Sequence, residues 1–89
     1  MMPPAANPEF GQAILQGIDE QLASGEPPEV RATLERLVAA GYTREGARQL
    51  IGTVLIREMH KTLSRNQPYS NDRYIAALTR LPELPEDDD

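Results

Sequence analysis

The chain contains no cysteine and no tryptophan, and its single histidine is His60. Without cysteine, no disulfide can brace the fold. Without cysteine and with one imidazole, the usual structural zinc sets of thiolates and histidines are out of reach. No nucleophile elbow and no glycine-rich phosphate loop accompanies the serine, threonine and tyrosine hydroxyls. No run approaches the roughly 18 consecutive apolar residues of a membrane span. The first residues lack the basic region and apolar core of a secretory signal, so a cytoplasmic location is expected. No segment alternates apolar and polar residues as a half-buried strand does, and no internal repeat is convincing.

What is present is helix punctuation. Among the 89 residues, Asn7-Pro8, Pro27-Pro28, Thr43 and Ser70 each precede a stretch with apolar residues at three- and four-residue spacing. Gly25, Gly41 and Asn66 stand where such stretches should stop, and Pro68 and Pro82 block continuation. The first helix is expected over about Pro8–Ser24, capped by Asn7, with Phe10, Ala13, Ile14, Ile18 and Leu22 as its apolar stripe. Gly17 lies on that side, which invites close approach of a neighbouring helix. The second runs from Pro27 or Pro28 to about Ala40 and is expected to bury Val30, Leu34, Leu37 and Val38. Arg31, Glu35 and Arg36 take its other side, with Arg31 and Glu35 as an i,i+4 pair. The third, about Arg44–Arg65, is the longest and is apolar around Ile51–Ile56 on most of its circumference, which makes it the expected central element. Ile51, Val54 and Leu55 should be nearly inaccessible. The fourth runs from about Asn71 to Leu81 with Tyr74, Ile75, Leu78 and Leu81 facing inward. The expectation is therefore an all-α, compact four-helix domain over residues 7–82, with a long central third helix and short loops. Residues 1–6 are read as a flexible leader and residues 83–89 as an acidic tail.

The net charge of −5 is unevenly spread. Residues 1–43 carry two basic and six acidic side chains, residues 44–80 seven basic and three acidic, and residues 81–89 five acidic and no basic ones. The acidic tail can lie over the basic middle or simply aid solubility. Arg57, Lys61 and Arg65 recur every four residues as one basic stripe. Such a stripe can meet nucleic-acid phosphates, but overall acidity and brevity favour a solvated face or an interface for an acidic protein segment. Asp19, Glu20 and Glu45 can be assembled on paper into a carboxylate cluster for a hard cation or acid–base work. Adjacent helical carboxylates more commonly form a solvated face. His60, alone between Met59 and Lys61, lacks the companions a metal site requires.

Several stretches together resemble an uncharacterised bacterial helical family known only as a domain of unknown function. They are Asn7-Pro8 opening a helix that ends Ile18-Asp19-Glu20-Gln21-Leu22, then Pro27-Pro28-Glu29-Val30-Arg31 and Glu35-Arg36-Leu37. Ile51-Gly52, Glu58, Pro68-Tyr69 and Arg73-Tyr74-Ile75-Ala76-Ala77-Leu78 complete the set, from Asn7 to Pro82. Members of that family carry an H-x-x-x-H pair on the first helix and another early in the third, an arrangement that can ligate a metal. Here the first pair corresponds to Gly11 and Leu15 and the second to Glu45 and Gln49, so the resemblance implies the fold and a lost site. Locally, Leu37–Ala47 is similar to the loop of ubiquitin-associated domains, although turn chemistry alone accounts for Gly41, Tyr42 and Thr43.

These readings converge on a small accessory or adaptor protein without catalytic activity, metal or cofactor. It is expected to bind another protein or itself through Leu15, Ile56, Arg57, Lys61 and Arg65. Leu15 and Ile56 stand off the main apolar lines of their helices, and clustered uncovered apolar residues mark interaction sites. The alternatives are a degenerate metal- or carboxylate-site protein of enzyme origin built on Asp19, Glu20 and Glu45, and a weak nucleic-acid binder through the basic stripe. The charge balance argues against the latter, and no membrane contact is expected.

Overall fold

A proline at the first turn, or a hydroxyl cap before it, opens each of the four helices of this computed structural model. It describes residues 8–65, 68 and 70–84, with side chains from Gly11 onward. The helices are α1 (Pro8–Ser24), α2 (Pro28–Ala39), α3 (Arg44–Ser64) and α4 (Asn71–Arg80), and no strand occurs among the described residues. Thr43 caps α3 by accepting the Gly46 N–H at 3.0 Å, and Ser70 caps α4 by accepting that of Arg73 at 3.2 Å. Pro28 starts α2, where its missing N–H costs nothing. Gly25 (φ 77°) and Gly41 (φ 111°) end α1 and α2 in backbone conformations that disfavour a side chain. The expected cap at Asn7, the stop at Asn66, the packing of Phe10, the leader and residues 85–89 lie outside the described residues.

The fold is an all-α four-helix domain. α3 packs on each of the other three helices, as expected, but so does α2; only α1 and α4 lack close backbone approach. Asp19 pairs with Arg48 while Ile14 and Leu15 lie against Gly52. Rising numbers on α1 thus meet falling numbers on α3, and the two helices run antiparallel. The core consists of Ile18 and Leu22 from α1, Val30, Leu34 and Leu37 from α2, Ala47, Ile51 and Val54 from α3, and Tyr74, Leu78 and Leu81 from the α4 region. The Tyr74 ring is wholly buried. Its hydroxyl donates to Gln21 Oε1 at 2.8 Å, joining α4 to α1 across the core.

The structure corrects four packing expectations. Val38 is 43% exposed, and Thr33 takes its place in the buried face of α2. Leu55 is only partly buried, at the margin of the core rather than within it. A side chain at Gly17 would meet nothing within 4 Å, so no helix approaches there. The close-approach glycine is Gly52, where an added Cβ would sit 3.3 Å from Ile14 Cγ2. Finally, Arg31 does not pair with Glu35. Its guanidinium donates to the Leu22 carbonyl in the last turn of α1, where the backbone has no helical donor left to satisfy it.

Candidate interaction surfaces

The carboxylates proposed as a cluster are brought only partly together, and around a cation of the chain itself. Arg48, projecting from α3 towards α1, donates through Nε and Nη2 to both oxygens of Asp19 at 2.9 Å each. The same guanidinium binds Glu45 one turn earlier on α3. The Arg48 pKa is raised, first by the hydrogen bond to Asp19 and further by Glu45, against an opposing desolvation effect. Glu20 is exposed and joins neither partner. A divalent cation at Asp19 and Glu45 would have to displace a permanently charged arginine, so this arrangement is a clasp between helices rather than a metal cradle. Among the described residues, no group of three or more histidine, aspartate or glutamate side chains is placed to hold a metal ion.

A second ion pair went unnoticed in the sequence. Glu58 is buried at 3% exposure, and Oε1 accepts the Arg73 Nε–H at 3.1 Å. Arg73 Nη2 is buried without a hydrogen-bond partner. The signal was available: Ala47, Ile51, Val54 and Glu58 follow one another at helical spacing along a single row of α3, so a carboxylate occupies a position where the preceding members are core.

Of the five residues singled out for interaction, Leu15, Ile56, Arg57 and Lys61 are half-buried and Arg65 is exposed. Leu15 leans on the α3 backbone, its Cδ2 3.8 Å from where a Cβ on Gly52 would lie. Arg57 and Arg65 are both engaged by other groups of the chain. Leu63, two turns beyond Ile56 on the same helix face, is 81% exposed. With Met59 half-buried between them, the row Ile56–Met59–Leu63 grades from partly covered to open beside Lys61.

A cleft of about 310 Å³ lies on another side, between the end of α1, the middle of α2 and the start of α3. Its apolar lining is Leu22, Ala23 and Leu34. Asp19, Arg31, Glu35 and Arg44 supply its polar rim. The half-exposed Val38 stands one turn past Leu34, and Tyr42, 39% exposed, precedes Arg44 by two residues. No helix among the described residues is long and apolar enough to cross a membrane. No family model matches the chain, nor does any curated protein or solved structure.

Proposed function

We propose that this chain is a non-catalytic helical accessory module that works by docking another protein on the second half of α3. The observation that carries this reading is the row Ile56–Met59–Leu63, which ends in a leucine 81% exposed beside a basic stripe. A lone exposed leucine is ordinary, but here it continues the partly open row of Ile56 and Met59, and contiguous apolar rows rimmed by charge are what protein partners cover. Lys61, beside the row, favours an acidic partner segment and supplies steering that weakens with salt. The resemblance to a histidine-paired family supports the same reading. Gly11 and Leu15 fall where the resembling family carries paired histidines, and Asp19 is tied to Arg48.

The test is affinity capture from native lysate with the wild type and with Leu63→Asp and Lys61→Glu, both changes on an exposed or half-exposed surface that should leave helicity unchanged. A specific partner retained by the wild type and lost from both variants is expected. Equal capture by all three would reject the α3 face. Retention of duplex DNA with a steep salt dependence would favour the nucleic-acid reading of the same stripe.

A further inference from the structure

A second surface, separate from the α3 face, carries charges of both signs around an apolar floor. The cleft between α1, α2 and the start of α3 has an apolar floor of Leu22, Ala23 and Leu34. Its rim carries both signs of charge. Two of those charges are already committed: Asp19 is held by both donors of Arg48, and Arg31 donates to the Leu22 carbonyl. Glu35 and Arg44, on different helices, make no ion pair among the described residues. A rim of one sign would repel a copy of itself. A rim with one uncommitted carboxylate and one uncommitted guanidinium can pair twice across a two-fold axis, Arg44 of each copy with Glu35 of the other. A uniformly acidic or basic partner would meet a like charge at one of the two positions.

Two residues before the rim residue Arg44 stands an open aromatic side chain. Tyr42, fixed at the α2–α3 junction by its backbone N–H to the Leu37 carbonyl at 3.1 Å, leaves its ring 39% exposed. Val38, on the turn of α2 that follows Leu34, is likewise half open. A tyrosine brings a rigid, largely apolar body with one polar tip, which suits a small apolar cleft with a charged rim. An aromatic side chain only two residues from the rim of its own cleft lets two copies engage reciprocally, so that the assembly closes. We propose that a second copy of this chain covers the cleft, forming a two-fold homodimer. Tyr42 of each copy packs over the Leu22, Ala23 and Leu34 floor of the other, and Arg44–Glu35 pairs close the two ends.

The test is sedimentation equilibrium on the full chain over a range of concentrations, with circular dichroism confirming that each variant keeps its helices. The wild type is expected to dimerise, and Tyr42→Ala to raise the dimer dissociation constant by about tenfold or more, as loss of an aromatic anchor does. Glu35→Arg and Arg44→Glu should each weaken the dimer, because each places like charges opposite one another at both ends. Mixing these two variants should restore association to within about threefold of the wild type, since the heterodimer regains both opposite-charge pairs. If Tyr42→Ala fails to fold, the charge-swap mixture decides alone. A wild type that stays monomeric to about 0.5 mM, weaker than any interface of this kind should be, overturns the proposal. So does a dimer indifferent to both charge swaps. Neither result bears on capture through Leu63, which lies on the other surface.

Discussion

Glu58 shows how one residue can carry more energy than its helix suggests. Its carboxylate sits at 3% exposure with a single charge-assisted bond from Arg73, itself 38% exposed. Breaking such a pair from the cationic side leaves a desolvated anion, whereas replacing both partners by apolar groups of similar volume removes that penalty. Arg73→Met is therefore expected to cost about 3 kcal/mol, the lower end of the usual range for buried pairs because the arginine is partly wet. Glu58→Met combined with Arg73→Met should recover most of that, as read from urea midpoints. The glycines make a second residue-scale case. Gly17→Ala meets open space and should stabilise by about 0.5–1 kcal/mol through helix propensity. Gly52→Ala gains the same propensity but presses on Ile14 Cγ2 at 3.3 Å, so its thermal midpoint should fall below that of Gly17→Ala. Apolar spacing put Gly17 on the inner side of α1 and could not say where a neighbour comes closest. That depends on the relative offset of two helices, and Gly52 was legible only as part of an apolar run.

At the scale of elements, the boundaries were the most legible feature, because proline, glycine and hydroxyl caps act on their own few residues. Thr43, Ser70, Gly25 and Gly41 do locally what their chemistry requires. The links between helices were least legible, because they rest on long side chains at the edges of stripes. Arg36 looks like a solvent residue on a helical wheel, yet it reaches α4 and donates to the Leu81 carbonyl at 2.7 Å and the Leu78 carbonyl at 3.0 Å. Those carbonyls end a ten-residue helix, shorter than the roughly 12–15 residues that stand unaided in water. Removing this cap with Arg36→Met should lower the protection of α4 by about 1.5–3 kcal/mol, the worth of hydrogen bonds to a charged donor. Amide exchange in α4 should quicken while the α1–α3 pair holds. That pair keeps its own clasp at Arg48, whose pKa is raised above its unfolded value. The stabilisation is fully present below the ordinary arginine pKa and disappears only as pH rises through the still higher folded value. Raising the pH from about 7 to 9 should therefore leave the Arg48 contribution intact.

The whole molecule is small enough that its core has little to spare. Domains of this size hold on the order of 5 kcal/mol against unfolding. Ile51 is wholly buried in α3, one of the two helices that touch the other three. Ile51→Ala should cost about 2–5 kcal/mol through lost burial and a cavity that rigid helices cannot close. Leu55→Ala, at the core's margin, should cost distinctly less, and equal losses would mean α3 is rotated from the orientation described. Sequence reasoning placed both side chains inside, because a helix apolar on most sides gives no direction in which to rank its own residues. The same narrow margin ties stability to association. If two folded copies join through Tyr42 and the cleft while unfolded chains do not, mass action must raise the Tm as concentration rises. The shift should be largest in a destabilised background. Ile51→Ala should thus regain helicity as its concentration is raised from micromolar to millimolar, and Ile51→Ala with Tyr42→Ala should not. An identical concentration dependence in both would show that the recovered order comes from a surface other than the cleft.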